Sequence, residues 1–221
     1  MFNVEVFTSD YATKAAGHIA ERFAGRGSLI LTGGSTAEVV YPALARHALA
    51  LEGTTFLFSD ERCVPPTDPA SNYGMARNLL IDHVTTKTIH RMRGEDPPEL
   101  AAQLYHEAVA DLVARGIDVC LLGMGADGHV GANFPGSLTL DETERLCLPV
   151  QRPDGLGGLT LTPPALLAAQ TVLLIVTGES KAGMVRKVVR GDEKPVTLPA
   201  RILADHPSAT FLLDEAAASE L

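Results

Sequence analysis

The sequence predicts an α/β protein: a mainly parallel sheet with helices on both faces. Three observations carry that expectation. Short apolar, β-rich runs alternate with helical patterns along the chain, the order expected of parallel strands joined by crossover helices. The runs SLILT, IDVCLLG and TVLLIVTG are almost continuously apolar, as strands covered on both faces must be. Glycines follow several of these runs just where the chain turns away from the strand.

The elements follow in order. Strands are expected at Asn3–Phe7, 28–32, 55–59, 88–92, Ile117–Leu122, 171–177 and 210–213, each a short run rich in aliphatic, aromatic or β-branched residues. Helices are expected between them, at Tyr11–Phe23, 37–49, 73–84, 98–114 and 179–189, with a last one at 215–219. The Gly- and Pro-rich stretch 133–158 is expected to be a loop region beside the sheet, holding one short strand at 145–150. No internal repeat or long linker interrupts the pattern, so residues 1–221 are expected to form a single domain.

Composition narrows the function. A net charge of −9, from 18 Lys+Arg against 27 Asp+Glu, repels nucleic acid and anionic lipid, so neither is an expected partner. It leaves room for a small phosphorylated ligand, because salt screens distant surface charge within about 10 Å of a local cationic site. No apolar run approaches the ~20 residues that span a bilayer. The N-terminal stretch has no basic region followed by an apolar one, so a cytoplasmic protein is expected. Oligomeric state is left open between a monomer and a small homo-oligomer. Cys63, Cys120 and Cys147 are odd in number and far apart, which argues against both a disulfide framework and a thiolate metal site. Cys120 reads as core; Cys63, beside charged residues, reads as either reactive or structural. His18, His47, His83, His90, His106 and His206 are scattered without ligand spacing, so no metal is expected.

In open α/β sheets ligands bind beyond the carboxyl ends of the strands, and four such ends stand out. The first strand-to-helix turn is Gly33-Gly34-Ser35-Thr36. Its glycines allow close backbone approach and its helix offers free N–H groups to an anion; a plain N-cap turn is the competing reading. Next comes Asp60-Glu61-Arg62, either a polar site wall with Arg62 as an anion clamp or a solvated turn of local ion pairs. Gly123-Met124-Gly125-Ala126-Asp127-Gly128-His129 matches G-x-G-x-x-G, but no amphipathic helix follows, so the dinucleotide reading is rejected. What remains is a flexible loop carrying His129, with Asp127 two residues away to fix its tautomer. Last, Lys181 opens a helix, at the end where a cation is disfavoured unless an anion offsets it.

Taken in chain order, these segments resemble one family. Leu31-Thr32-Gly33-Gly34-Ser35-Thr36, Asp60-Glu61-Arg62 with Val64-Pro65 and Ser71-Asn72, Gly123-Met124-Gly125-Ala126-Asp127-Gly128-His129 with Phe134-Pro135-Gly136, and Thr177-Gly178-Glu179-Ser180-Lys181-Ala182 are similar to the 6-phosphogluconolactonases, within the larger group that includes the glucosamine-6-phosphate deaminases. Within the group, two residues point to the lactonases. Phe134 stands where the deaminases carry a proton-relaying Glu, and Arg62 stands where they usually carry Tyr. Two departures run the other way. Val130-Gly131-Ala132-Asn133 replaces a Thr-Ala-Ser-Leu-like stretch, and Gly158 stands where lactonases commonly place an Arg; Arg152 is the candidate replacement.

The resemblance implies a NagB/Rossmann-like three-layer sandwich that hydrolyses a phosphorylated sugar lactone without metal or cofactor. It implies His129 as general base on water, with Asp127 orienting it. It places the substrate and its phosphate among Gly33, Gly34, Ser35, Thr36, Asp60, Arg62, Lys181 and Arg152. Two other readings stay open: amino-sugar phosphate isomerisation and deamination with Asp60 as base, and a non-catalytic sugar-phosphate sensor.

Overall fold

The computed structural model describes residues 2–23 and 27–221. In chain order it contains β1 (Asn3–Phe7), α1 (Tyr11–Phe23), β2 (Ser28–Leu31), α2 (Ser35–Leu44), β3 (Thr54–Phe58), β4 (Asp60–Arg62), α3 (Asn72–Leu79), β5 (Lys87–Ile89) and α4 (Pro98–Arg115). Then come β6 (Ile117–Leu122), β7 (Cys147–Gln151), β8 (Gly157–Leu161), α5 (Pro163–Leu167), β9 (Ala169–Val176), α6 (Ala182–Arg190) and β10 (Ala209–Asp214). Seven strands form one sheet in the order β1-β10-β9-β6-β2-β3-β5, and every pairing in it is parallel.

Strand periodicity divides the core into two layers. Val119 and Leu121 of β6 face a cluster with Ile19 and Phe23 of α1 and Val40 of α2. Cys120 and Leu122 face the opposite cluster, with Val109 of α4 and Val185 and Val188 of α6. Alternate residues of an apolar strand thus feed opposite faces, and the sheet is covered by helices on both, as expected.

The strand order places a topological switch between β2 and β6. From β2 the chain adds β3 and β5 on one side; from β6 it adds β9 and β10 on the other. β2 and β6 pair only at Leu29–Val119 and Ile30–Cys120, while β2 stays paired with β3 to Leu31–Phe58 and β6 with β9 to Leu122–Leu174. The two central strands therefore part at their carboxyl ends, and a crevice opens between them.

Parting strands leave backbone groups without ladder partners, and two tyrosines supply them. The Tyr41 hydroxyl, on α2, donates to the Thr32 carbonyl (2.7 Å) and accepts from the Thr32 N–H (3.0 Å). From the other face, where β5 has ended beside β3, the Tyr105 hydroxyl on α4 donates to the Phe58 carbonyl (3.1 Å) and accepts from the Phe58 N–H (2.8 Å). Burial pushes both phenols well above their usual range. Tyr41→Phe would leave a buried N–H and C=O unpaired, at a cost of about 1–3 kcal/mol. The expected result is a lower denaturant midpoint with an unchanged slope; an unchanged midpoint would show that the hydroxyl contributes nothing.

Several expectations need correction. The segment 133–158 is largely loop, with β7 close to the strand expected at 145–150, but β8 starts at its end, and β7 and β8 join β4 in a second, antiparallel sheet of order β4-β8-β7 that was not expected. Gly157 and Gly158 hid β8, and Pro149 is tolerated in β7 because that strand is an edge. Asp60-Glu61-Arg62 is a strand rather than a turn. The helix expected at 37–49 starts at Ser35 and tightens into a 3₁₀ segment, Ala45–Leu51. The helix expected at 73–84 ends at Leu79 and is followed by a 3₁₀ turn, Ile81–His83. No helix forms at 215–219, where the chain makes turns pinned by the Asp214 carboxylate accepting from Ala217 N (2.7 Å). The short α5 has no counterpart among the elements expected from the sequence.

Cys120 and Cys147 are buried and Cys63 half-buried, all three free. Burial and the Glu61 charge push the Cys63 thiol up, which favours the structural reading over a reactive thiolate. Among the described residues, no helix is long and apolar enough to cross a membrane.

Candidate active site

A cavity of about 190 Å³ opens at the crevice between β2 and β6. Gly33, Gly34, Ser35, Thr36, Asp60, Arg62, His129, Arg152 and Lys181 all line it, so nine of the ten expected site residues converge. The tenth, Asp127, stands behind His129, its Oδ1 2.6 Å from the imidazole Nδ1. Thr32, Gly123, Met124, Gly125, Gly131 and Thr177 complete the lining. The residues just beyond the ends of β2, β6 and β9 thus meet at one rim of the sheet.

Each side chain has a local reason for its place. Gly34 adopts φ +91° as N-cap of α2 and no side chain caps the helix, so the plain N-cap reading of Ser35 or Thr36 does not hold. The first-turn N–H groups face the cavity mouth with the dipole's positive end. The Thr36 and Thr177 hydroxyls meet at 3.1 Å, joining the ends of β2 and β9. Gly33 has no alternative: a Cβ there would stand 1.9 Å from Asn72 Oδ1.

Asp60 is buried at the cavity wall, where it accepts hydrogen bonds from Ser59 Oγ (2.8 Å) and Asn72 Nδ2 (3.0 Å). Arg62 donates from Nη1 to the Ala70 carbonyl at 2.6 Å, and its buried Nε has no hydrogen-bond partner among the described residues. Neither Arg62 nor Lys181 has a carboxylate within ion-pair distance among the described residues. Partial burial pulls the Lys181 ammonium below its usual range, with the charge of Asp127 working against it. Two unneutralised cations therefore line the same cavity as a glycine and hydroxyl turn, an arrangement suited to an anion.

His129 forms another part of the cavity wall. Its ring lies over Gly125, where an added Cβ would come 2.1 Å from Nδ1 and 2.6 Å from Asp127 Oδ1. The loop closes on itself through Gly125 N–H donating to the His129 carbonyl (2.9 Å). Partial burial works to raise the Asp127 carboxyl, but the His129 charge and the hydrogen bonds from the His129 backbone and ring outweigh it and hold it below the usual range. An ionised carboxylate only accepts, so Nδ1 carries the proton and Nε2 is left as the basic nitrogen.

Phe134 ties this wall to a third cation. Its ring centroid is 4.7 Å from that of His129, and the Arg152 guanidinium lies 5.6 Å from it, within cation–π range. Arg152 is also paired with Asp154 at 3.1 Å. The stem of Arg152 passes over Gly158, where a Cβ would meet its Cδ at 3.1 Å and Cγ at 3.2 Å. The glycine thus makes the room that Arg152 occupies. The sequence reading missed Thr32 and Thr177 as lining, and Glu61 and Asn72 as supports; the only signal for the latter pair was their nearness to Asp60 and Ser71. No group of three metal-ligating side chains occurs among the described residues.

The comparisons agree with this geometry. The family model described as glucosamine-6-phosphate isomerases/6-phosphogluconolactonase matches residues 4–212. A 6-phosphogluconolactonase of Haemophilus influenzae is 34% identical, over 85% of this chain and 84% of its own. A glucosamine-6-phosphate deaminase of Rhodopirellula baltica is 35% identical, over 95% of this chain and 91% of its own. The solved 6-phosphogluconolactonase of Trypanosoma cruzi superposes with a TM-score of 0.87 at 26% identity, covering 100% of this chain and 97% of that one. Fold, crevice and matched sequence coincide: the chain belongs to the glucosamine-6-phosphate isomerase/6-phosphogluconolactonase family.

Proposed function

We propose that the protein is a 6-phosphogluconolactonase, hydrolysing 6-phospho-D-glucono-1,5-lactone to 6-phosphogluconate in the oxidative branch of the pentose phosphate pathway. The observation that carries this reading is one cavity with an Asp-oriented imidazole on one wall and unneutralised cations beside a glycine and hydroxyl turn on another. Residues 1–221 act as one sugar-phosphate-binding domain, and a cytoplasmic location suits the substrate.

The chemistry asks little of the protein, since a lactone carbonyl is already electrophilic. His129 Nε2 takes a proton from water as the oxygen attacks C1. The carbonyl electron pair moves onto oxygen, where loop N–H groups or Arg62 stabilise it. Collapse breaks the C1–ring oxygen bond, and the imidazolium returns its proton to the leaving hydroxyl. The phosphate, held at Gly34, Ser35, Thr36 and Lys181 with Arg62 or Arg152, fixes the carbonyl against the water. Asp60 accepts from substrate hydroxyls. A coupled assay for 6-phosphogluconate tests the reading; formation no faster than uncatalysed opening would end it.

Lys181→Ala should raise KM about 10–100-fold for the phosphorylated lactone, the range for a charged hydrogen bond, and much less for unphosphorylated gluconolactone. Equal loss on both would remove Lys181 from the phosphate site. The ammonium is charged below its pKa, so affinity is full on the acid side of it. It should be lost as pH rises through a pKa lying below the usual lysine range.

One observation favours a second reading: the Rhodopirellula relative is a deaminase at comparable identity. Against it, the phenyl ring of Phe134 packs on His129, where a deaminase relay would need a carboxyl. Ammonia release from glucosamine 6-phosphate separates the two. Absence of turnover on both substrates would leave the sugar-phosphate sensor.

A further inference from the structure

We infer that Glu61, which does not line the cavity, is the positioning residue of the site: its carboxylate ties β4 to the first turn of α3 and so fixes Asp60 and Arg62. The inference deepens the proposed function and rests on it for the identity of the ligand. Along β4, Asp60 and Arg62 turn toward the cavity, and by strand alternation Glu61 turns the other way. There it is buried, 2% exposed.

Both of its oxygens are filled. Oε1 accepts from the backbone N–H of Arg62 (2.8 Å) and of Asn72 (2.7 Å). Oε2 accepts from Ser71 Oγ (3.0 Å) and from Tyr73 N–H (2.8 Å). Ser71 in turn caps α3 by accepting from Gly74 N–H at 3.0 Å. One carboxylate therefore satisfies much of the N-terminus of α3, where negative charge is favoured, and closes the loop between β4 and α3.

That closure reaches the cavity along two routes. Asn72, anchored through its N–H, sends Nδ2 to the Asp60 carbonyl (2.9 Å) and to Oδ2 (3.0 Å), and sets its amide against Gly33. Ala70, inside the closed loop, holds the Arg62 guanidinium. Glutamine cannot replace the carboxylate. Its NH₂ would face either the Tyr73 N–H or the pair of N–H groups on Oε1.

The test is a double-mutant cycle on affinity for 6-phosphogluconate, measured by calorimetry, with thermal unfolding alongside. Arg62→Ala should weaken binding about 10–100-fold. Glu61→Gln should weaken it at least about tenfold, and the double variant should lose clearly less than the product of the two single losses, because the route through Arg62 can be lost only once. Glu61→Asp should recover part of the loss. Glu61→Gln with wild-type affinity, or a double variant at the product of the two single losses, would overturn the inference; a scaffold residue lowers the unfolding temperature without changing the affinity of folded protein. Where Glu61→Gln does not fold, Glu61→Asp takes its place in the cycle, and wild-type affinity or a multiplicative double variant overturns the inference there too. If the wild type does not bind 6-phosphogluconate, the lactonase reading falls, and the cycle run with inorganic phosphate decides Glu61 separately.

Discussion

His129→Ala is expected to lower kcat about 10²–10⁴-fold, the usual contribution of a general base, while affinity for 6-phosphogluconate stays within a few-fold of wild type. The split follows from the geometry. The imidazole comes from the loop after β6 and the glycine and hydroxyl turn from the loop after β2, and the ring is held by Asp127 at 2.6 Å. Removing it costs the water its proton acceptor but leaves Ser35, Thr36, Arg62 and Lys181 in place. Stability should change little, because the ring is partly exposed and its side chain is 28% accessible. Steady-state assays corrected for spontaneous lactone opening, with calorimetry on the same samples, read both quantities. Turnover near the wild-type rate would mean that water is activated elsewhere. A parallel loss of affinity would mean that the ring binds substrate rather than acting on water.

A second large effect is expected at a residue with no side chain. Gly125→Ala should lower kcat on the order of 100-fold, the typical penalty for displacing a reacting group by about 1 Å. The new methyl would stand 2.1 Å from Nδ1 and 2.3 Å from Cε1 of His129, and 2.6 Å from Asp127 Oδ1. The backbone on that side is fixed by the Gly125–His129 hydrogen bond, so the ring must swing away and break its contact with Asp127. Because the variant acts only through the ring, adding it to His129→Ala should cost no further activity. A double variant much slower than His129→Ala alone would show that Gly125 acts on something other than the imidazole. The glycine of a motif that resembles a dinucleotide fingerprint is thus explained by a ring lying against the main chain.

The fold was legible where burial alone decides. β1, α1 and β6 were read to the residue, because apolar periodicity and a flanking turn set both ends. The second sheet was not legible, since β4 is three charged residues and β8 begins with two glycines. Those strands are held by pairing with one another across long sequence separation, a signal no local window contains. The site was legible at strand ends because the open sheet forces ligand contacts there. What stayed hidden were the supports. Tyr41 and Tyr105 are chosen by backbone groups that they meet only in the fold, while Glu61 and Asn72 showed only as neighbours within the Asp60-Glu61-Arg62 and Ser71-Asn72 motifs, with no sign of the bonds between them. Phe134 was read for the proton it cannot carry, and its contact with Arg152 emerged only when the β7–β8 hairpin was placed.

Positions 152 and 158 compete for the same volume. A long side chain at 158 would collide with the stem of Arg152, and a small one at 152 would leave the hairpin without a cation. A side chain at 158 asks the Arg152 stem to give by a few tenths of an ångström, and a small residue at 152 takes the charge away, so the two positions are coupled. Moving the charge to 158 with a small residue at 152 would bring the cation in from the neighbouring strand.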